Sequence, residues 1–419
     1  MDRISAKYWI ESAYRPEEAA AALAGEQSSG TFLAIPGETQ ALKEKHGARI
    51  ERLILTGETN TPSLPGAGVP RGVAKPVFHQ AEIEVSWPLD NMGVNLSNLM
   101  ATVAGNLFEL KQFSGLRLRD IDIPGAFCHV YPGPQFAIAG TRNLTGVHER
   151  PVIGTIIKPS VGLTPEETAS QTRTLIDAGL DFLKDDELMG DSPHSPFEKR
   201  VDAVMREIND HADKTGKKAM FAFNISGDMD DMMRRHDYVL SRGGTCVMVS
   251  LHWIGISALA KIRKHTMIPI HGHRNGWGLM SRSPSIGIDF RAYQKVWRTA
   301  GVDHVHTNGL RNKFCETDAS VIASIRSCQE EFLGTSLMPV ISSGQWAGQA
   351  VDTYKAIGNT DLMYVCGGGI VAHPSGIRAG VSSIQQAWQA ALQKKTLEDY
   401  ASEHTELREA LDFFGKPNQ

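Results

Sequence analysis

The chain has 419 residues, of which 41% are hydrophobic and 21% charged, which is typical of a globular protein with one large domain and a smaller one. Its formal net charge of -4 excludes a global basic field for nucleic acid or an anionic membrane, so any anionic ligand must be bound by local groups. There is no run of about 18 apolar residues and no apolar segment after a basic start, which predicts a cytoplasmic protein without a membrane partner.

Residues 1–135 predict an α+β domain of ferredoxin-like type. The segments RISAKYWIESAY and QAEIEVSWPL alternate between apolar and polar residues, as half-buried antiparallel strands do. The segments PEEAAAALAGEQ and LSNLMATVAGNLFEL have helical periodicity. The stretch YPGPQFAIAGTRNL contains two prolines and two glycines, and it predicts a connector over residues 131–144.

Residues 136–419 predict a (β/α)8 TIM barrel. Eight short apolar runs alternate with segments of helical length, the pattern of a parallel sheet covered by helices. The predicted strands begin at Val152, Asp181, Ala219, Cys246, Ile268, His304, Met338 and Met363. In the first intervening helix Thr164 can cap the N-terminus and Pro165 takes the first helical position. A doubly wound open sheet is the alternative, although it rarely uses eight regular repeats.

The end of the second predicted strand carries unusual charge. The residues there are Lys184, Asp185, Asp186 and Glu187. In a barrel of this kind the C-terminal rim holds the active site, and residues i and i+2 of a strand share a face, so Lys184 and Asp186 could project inward together. Several carboxylates at a dry rim require a compensating cation, and their hard oxygens favour Mg2+. The alternative is a solvated turn in which a carboxylate caps the next helix.

Histidines and glycines mark other strand ends. The histidines form two pairs with i, i+2 spacing, each either structural or catalytic: His271 with His273, and His304 with His306. The last two strands end in Ser342, Gly344, Gly367 and Gly368. Barrels commonly bind phosphate there through backbone N–H groups, although a tight turn is the simpler explanation for the glycines. The rim as a whole predicts a metal-assisted enzyme that stabilises an enolate or enediolate of a phosphorylated small molecule.

The motifs GTIIKPSVGL, GLDFLKDDE, IHGHR, DHVHTNGLRNK, PVISSG and CGGG occur in this order, with EQSSGTF and TVAGNLFELKQFSGLRLRDIDIP before them. Along this length the chain resembles the large subunit of RuBisCO. The resemblance implies that Lys184 takes up CO2 as a carbamate and that this group binds Mg2+ with Asp186 and Glu187. It also implies proton transfer by Lys158 and a small phosphorylated substrate.

The same resemblance implies roles for further residues. The catalytic set is Lys158, Lys184, His273 and Lys313. Substrate or phosphate contacts are expected from Arg274, His306, Ser342, Gly344, Gly367 and Gly368. Residues expected from a neighbouring subunit are Glu26, Thr31 and Asn106. Because the last three would complete another subunit's site, the resemblance implies a homodimer or a higher homo-oligomer.

Some residues depart from the carboxylase pattern. Ser160 stands where the carboxylases have a second lysine beside Lys158, so a charge that handles the carboxylated intermediate is lost. The other departures are Phe32, Trp277, Ser343 and the loop NGLRNK. These differences argue against carboxylation of ribulose bisphosphate. The chain therefore resembles the form IV group, the RuBisCO-like proteins.

Within form IV, the preferred expectation is a Mg2+-dependent carbon–carbon lyase. It would act on 3-oxo-isoapionate 4-phosphate through an enediolate, as a decarboxylase or as a transcarboxylase/hydrolase. The alternative is a methionine-salvage enolase or isomerase acting on a methylthio-pentose phosphate, but the enolase branch has a lysine base where this chain has Asn106. A true ribulose-bisphosphate carboxylase and a non-catalytic regulatory protein are the remaining alternatives.

Overall fold

The computed structural model describes residues 2–29 and 36–415, so the predicted site residue Thr31 and the departure at Phe32 lie outside the described residues. The chain divides into two units. Unit 1 comprises Met1–Tyr131 with Gly276–Thr299, and unit 2 comprises Pro132–Asn275 with Ala300–Gln419. Within the described ranges, no helix is both long enough and apolar enough to cross a lipid bilayer.

Strands and helices alternate along most of the chain. The strands are β1 (Arg3–Ser12), β2 (Arg49–Thr59), β3 (Phe78–Pro88), β4 (Gly115–Asp122), β5 (Val152–Ile156), β6 (Phe182–Lys184), β7 (Met220–Asn224), β8 (Cys246–Ser250), β9 (Ile270–His273), β10 (Ile286–Ile288), β11 (His304–His306), β12 (Met338–Ile341) and β13 (Met363–Val365). The α-helices are α1 (Pro16–Glu26), α2 (Gln40–His46), α3 (Leu96–Val103), α4 (Ala137–Thr145), α5 (Pro165–Asp177), α6 (Phe197–Thr215), α7 (Met229–Ser241), α8 (Leu251–His265), α9 (Trp277–Ser281), α10 (Phe290–Ala300), α11 (Asp318–Gln329), α12 (Ala350–Ile357), α13 (Gly368–Val371), α14 (Gly376–Leu392), α15 (Leu397–Ala401) and α16 (Thr405–Phe414).

Unit 1 is built on a five-stranded sheet with the order β10-β4-β1-β3-β2. The neighbours among β4, β1, β3 and β2 are all antiparallel, which is the ferredoxin-like arrangement predicted from the sequence. Every second residue of β1, including Ile4, Tyr8 and Ile10, is buried, as its alternation requires. Helix α3 ends at Val103, earlier than predicted, because Gly105 leaves the helical region (φ -86°, ψ -136°).

Strand β10 was not predicted, and it lies parallel to β4 at the edge of the unit 1 sheet. Arg117 of β4 holds it there. The guanidinium donates to the Asp289 carboxylate (2.6 Å) and to the backbone carbonyl groups of Ser283 and Ile286. Strand β10 has only three residues, all half-buried, so its position at the sheet edge depends on these long-range hydrogen bonds more than on its own strand propensity.

Unit 2 contains a closed barrel of eight parallel strands, and all eight predicted strands are confirmed. Apolar side chains from successive strands, including Phe182, Met220 and Val340, fill its core. Helix α5 begins as predicted, because the Thr164 side chain accepts from the backbone N–H of Glu167, whose carboxylate accepts from the backbone N–H of Thr164 in return.

The predicted connector over residues 131–144 is partly wrong, because its second half forms α4. The cause is a residue far along the chain. Oδ1 of Asp303 accepts hydrogen bonds from the backbone N–H groups of Gln135 (2.8 Å), Phe136 (2.7 Å) and Ala137 (3.2 Å). This buried carboxylate satisfies donors that the first turn of a helix leaves free, so it replaces a local cap.

Candidate active site

Lys184 is the last residue of β6, and its side chain is fully buried in the barrel. Its Nζ donates to the carbonyl oxygen of Asp185 (2.7 Å) and lies 3.7 Å from Oε2 of Glu187. Burial lowers the pKa of the Lys184 ammonium, although the neighbouring carboxylates oppose the shift. The neutral amine of Lys184 is therefore accessible at a lower pH than that of an exposed lysine.

Asp186 forms an ion pair with Lys158, which follows β5. Nζ of Lys158 donates to Oδ2 of Asp186 (2.7 Å) and to Oγ of Ser160 (2.6 Å). Burial by itself would raise the pKa of Asp186, but hydrogen bonds from Lys158 and Ser160 outweigh it and lower that pKa. The structure thus joins the ends of the first two barrel strands through an ionised carboxylate.

Glu187 brings its carboxylate back toward the buried lysine. Oε2 of Glu187 lies 3.4 Å from Nε2 of His273, as well as 3.7 Å from Nζ of Lys184. The loop is fixed from β7, since the Asn224 amide donates to the carbonyl oxygens of Glu187 (3.2 Å) and Asp186 (3.4 Å). The three residues predicted to bind metal therefore lie together.

The donor chemistry of these residues fits a divalent cation with hard oxygen ligands. Asp186 and Glu187 each direct a carboxylate oxygen at a lysine ammonium, so each already faces positive charge. Lys184 has the depressed pKa that reaction of an amine with CO2 needs, and a carbamate on its Nζ would add oxygen donors to the two carboxylates. The set is therefore suited to Mg2+.

Asp185 has a different role from the acidic residues that follow it. Its carboxylate is fully buried, lies 3.3 Å from Nη2 of Arg200 and accepts from the backbone N–H of Asn224 (3.0 Å). Burial raises the pKa of Asp185, and the Arg200 ion pair limits that rise. Asp185 is therefore a structural anchor of this turn, and Arg200 of α6 is a partner that no motif in the sequence indicated.

Two of the four strand-end histidines lie at the rim. The His273 ring is 4.5 Å from the His306 ring, and Nδ1 of His306 lies 2.9 Å from Oγ of Ser342. Burial and the positive charge of Lys184 lower the pKa of His273 to about 4, and burial lowers that of His306 well below its usual range. Both imidazoles are therefore neutral near pH 7, and each can donate a single hydrogen bond.

The other two histidines lie deeper in the barrel, where the structural explanation holds. His271 stacks on Phe182, with ring centroids 5.1 Å apart, and its Nε2 lies 2.8 Å from Nε2 of His306. His304 bonds through Nε2 to Oγ1 of Thr141 (2.8 Å) on α4. The His271 contact therefore orients His306, whereas His304 is held by α4.

The loops that follow β11, β12 and β13 border the same region. Gly344 has φ +85°, a conformation that favours glycine, and a Cβ there would lie 3.7 Å from Cβ of Lys313. The backbone N–H of Lys313 donates to the carbonyl oxygen of Ser343 (3.3 Å). A Cβ on Gly367 would lie 3.7 Å from Cε of Lys158, so the glycine turn directly adjoins the lysine that pairs with Asp186.

Arg274 follows β9 and is buried against an acidic residue that sequence reasoning missed. Its Nη2 donates to Oε2 of Glu316 (2.9 Å), and the same oxygen accepts from Nδ2 of Asn308 (2.6 Å). Asn308 lies two residues after β11, among the polar residues at the strand end, so its position in the sequence could have indicated that it belongs to the site. Glu316 lies in an irregular loop, and only its proximity to Lys313 in the sequence could have suggested it.

Residues 137–414 match the family described as ribulose bisphosphate carboxylase large chain, catalytic domain, and residues 67–127 match the N-terminal domain of the same large chain. The chain belongs to the RuBisCO large-chain family. It is 53% identical to the 3-oxo-isoapionate-4-phosphate transcarboxylase/hydrolase of Xanthobacter autotrophicus, over 99% of both chains. It is 44% identical to the 3-oxo-isoapionate-4-phosphate decarboxylase of Rhizobium rhizogenes, over 98% of both. A crystal structure of a rubisco-like protein from Burkholderia fungorum is 43% identical, with a TM-score of 0.91, 99% of this chain covered and 100% of that one.

Two departures from the RuBisCO carboxylase pattern have clear structural consequences. Ser160 places a hydroxyl group within hydrogen-bonding distance of Nζ of Lys158, where the carboxylases would carry a second ammonium. Ser343 adopts a left-handed conformation (φ 74°), and its Oγ donates to Oδ1 of Asn308 (2.7 Å). That side-chain hydrogen bond helps to hold a backbone conformation that glycine adopts more readily.

Unit 1 contains two of the residues that the RuBisCO resemblance assigns to a neighbouring subunit's site. Glu26 is the last residue of α1 and lines a cavity of about 560 Å3 together with Ser29, His46 and Thr102. Asn106 is exposed just beyond α3. Both side chains are thus available at the surface of unit 1.

Proposed function

We propose that this chain is a Mg2+-dependent RuBisCO-like enzyme that acts on 3-oxo-isoapionate 4-phosphate, as a transcarboxylase/hydrolase or as a decarboxylase. The observation that carries the proposal is the convergence of Lys184, Asp186 and Glu187 beside Lys158, which itself adjoins the glycine turn at Gly367. The names and identities of the two relatives support this substrate, and the higher identity favours the transcarboxylase/hydrolase reaction.

Lys184 prepares the site by reacting with CO2. The Lys184 ammonium first loses a proton to solvent; Nζ of the neutral amine then forms a bond to the CO2 carbon, one C–O π bond of CO2 becomes a carboxylate lone pair, and a second proton leaves Nζ for solvent. A cationic side chain thereby becomes an anionic carbamate with oxygen donors. The carbamate, Asp186 and Glu187 would hold Mg2+. When bound, Mg2+ would supply Lewis-acid polarisation of the carbonyl and hydroxyl oxygens of the substrate.

Lys158 is the proton donor in the proposed reaction. Cleavage of the carbon–carbon bond to the carboxylate carbon leaves its electron pair on the substrate as an enediolate. The Lys158 ammonium, oriented by Ser160 and Asp186, then transfers a proton to the enediolate carbon. If the reaction is a decarboxylation, the absence of a second ammonium at Ser160 suits a site that releases the carboxyl group as CO2.

Other residues of the rim bind the substrate in this proposal. The neutral imidazole of His273 would donate a hydrogen bond to a hydroxyl or carbonyl oxygen of the substrate. His306, whose two ring nitrogens contact His271 and Ser342, would position the Ser342 hydroxyl group for the substrate. Its phosphate would be bound by Ser342 and Arg274, by the backbone N–H groups of Gly344, Gly367 and Gly368, and by Lys313, whose side chain is exposed beside Gly344. Glu316 would have to share Arg274 with that phosphate.

The proposed assembly is a cytoplasmic homodimer or a higher homo-oligomer. Glu26, Thr31 and Asn106 would contribute to the site of the adjoining subunit, as the resemblance implies. The surface position of Glu26 and Asn106 on unit 1 supports this assignment.

The decisive assay uses purified protein, Mg2+, bicarbonate and 3-oxo-isoapionate 4-phosphate labelled with 13C at its carboxyl carbon. Label released as CO2 identifies a decarboxylase, whereas label retained in the carboxylate of a product identifies a transcarboxylase/hydrolase. Lys184→Met should abolish turnover, and the exposed control Lys214→Met should not. If the wild-type protein produces neither labelled product, the proposed substrate is wrong.

A further inference from the structure

A second group of potential metal ligands lies among the helices outside the barrel strands. His236 and Asp237 belong to α7, and His265 is the last residue of α8. One ligand atom from each lies within 4.8 Å of the others. Oδ1 of Asp237 is 2.9 Å from Nδ1 of His236 and 2.6 Å from Nε2 of His265, so one carboxylate oxygen faces two imidazole nitrogens.

The second ring nitrogen of His236 has a hydrogen-bond partner, as the second nitrogen of a metal-binding histidine usually does. Its Nε2 lies 2.7 Å from Oγ1 of Thr266, whose hydroxyl group can donate to the carbonyl oxygen of Ile268 (3.3 Å). The ring has two tautomers: when Nε2 is protonated, it donates to Thr266 and Nδ1 directs its lone pair toward Oδ1 of Asp237, and when Nδ1 is protonated, it donates to that carboxylate. In the first tautomer Nδ1 and Oδ1 are both available to bind one metal ion while Thr266 orients the ring from the other side.

The three side chains differ in how far they can move. The His236 side chain is fully buried, so packing fixes its position beside the other two ligands. The side chains of His265 and Asp237 are 40% and 58% exposed, so both can adjust.

The spacing requires only a small adjustment. Ligand atoms around a tetrahedral zinc ion lie about 3.3 Å apart, because each lies about 2.0–2.1 Å from the metal. The present contacts of 2.6 and 2.9 Å would therefore open by roughly 0.5 Å. Rotation of the two exposed side chains can provide that movement while the buried His236 stays in place.

We propose that His236, Asp237 and His265 form a binding site for a first-row divalent cation, best matched by Zn2+. Two imidazoles and one carboxylate form a borderline ligand set that suits Zn2+ better than Mg2+. The ion would connect the middle of α7 to the C-terminal end of α8, with its remaining coordination positions open to water. It would therefore stabilise the junction between these helices and take no part in the chemistry at the barrel rim.

The test is a Zn2+ titration of the full-length protein in saturating Mg2+, which keeps the rim carboxylates occupied. Asp237→Asn and His265→Gln alter exposed side chains, so both variants should fold. The matched control is His79→Gln, because His79 also contacts a carboxylate, Glu58, at 2.9 Å but has no third potential ligand grouped with it among residues 2–29 and 36–415. Binding is measured by competition with a chelating dye, and Co2+ is added separately to record its visible spectrum.

Wild-type protein and the His79 variant should bind one Zn2+ at this site, and each cluster variant should bind it at least about tenfold more weakly. The Co2+ spectrum should change in the cluster variants alone, and Zn2+ should raise the melting temperature only where the cluster is intact. Equal Zn2+ affinity in all four proteins would overturn the proposal. So would a loss of binding in the His79 variant as large as that in the cluster variants.

Discussion

Replacement of Lys158 by methionine tests the candidate site most directly. The change keeps most of the aliphatic side chain but removes the ammonium that lies 2.7 Å from Oδ2 of Asp186. The Asp186 side chain is only 4% exposed, so it would lose its closest positive charge in a poorly hydrated place. Removal of one partner of a fully buried ion pair costs about 3–5 kcal/mol. Because the Lys158 side chain is 37% exposed, we expect a smaller loss of about 1–3 kcal/mol.

Mg2+ should reverse much of that loss, because the metal is proposed to bind the same carboxylate. We therefore expect Lys158→Met to be less stable than wild type in EDTA, and Mg2+ with bicarbonate to stabilise the variant more than the wild-type protein. Loss of a general acid lowers kcat by roughly 10²- to 10⁴-fold. The assays are denaturant unfolding with and without Mg2+, and turnover of 3-oxo-isoapionate 4-phosphate.

The result that would refute this reasoning is specific. If Lys158→Met retained more than about a tenth of wild-type kcat, Lys158 would not be the proton donor. If its stability depended on Mg2+ no more than that of wild type, Asp186 would not be a shared partner of lysine and metal. Lys214→Met, at an exposed position of α6, is the control for removal of a lysine in general.

Three further predictions concern Lys184, His273 and Asp303. Because burial lowers the pKa of Lys184, wild-type protein should form a carbamate detectable by 13C NMR with labelled bicarbonate at a pH below about 10.4, the pKa of an exposed lysine, whereas Lys184→Met should not. Because the pKa of His273 is about 4, this ring does not titrate near neutral pH; the ratio of kcat/KM between wild type and His273→Gln should stay constant from about pH 5.5 to 8, and an inflection near pH 6.5 would contradict its neutral state. Asp303→Ala should destabilise the protein by about 3–5 kcal/mol in denaturant unfolding, because the buried guanidinium of Arg263 and the backbone N–H groups bound to Asp303 would lose their acceptor. A loss below about 1 kcal/mol would contradict that account.

The barrel could be predicted from the sequence because each of its strands is a short apolar run that can be recognised without knowledge of the other strands. A run such as VIGTI or CVMVS is apolar except for one hydroxyl residue, and a parallel strand buried on both faces favours that pattern. The site followed from the same logic, since polar residues at the ends of parallel strands must meet at one rim. The sequence alone therefore groups Lys184, Asp186 and Glu187 at that rim.

The parts that could not be predicted depend on contacts between distant residues. Helix α4 needs the carboxylate of Asp303, which lies more than 150 residues further along the chain. Strand β10 needs Arg117, and the orientation of Arg274 needs Glu316. In each case a charged side chain forms hydrogen bonds with groups that have no partner nearby in the sequence. The periodic pattern of apolar residues does not indicate which distant residue will supply that partner.

The two ends of β6 show how the barrel separates stability from chemistry. At the N-terminal end, Asp181 is held by Arg150 (2.5 Å) and Lys217 (2.7 Å), and its carboxylate also accepts from the backbone N–H of Ile153. These partners satisfy Asp181 permanently, so the pair network fixes the strand. At the C-terminal end, Lys184 and Lys158 face the carboxylates of Glu187 and Asp186. In the proposed function, carbamylation would turn one of these cations into an anion, so a cation would have to complete the charge balance at this end, and that requirement would couple the reaction of Lys184 with CO2 to metal binding.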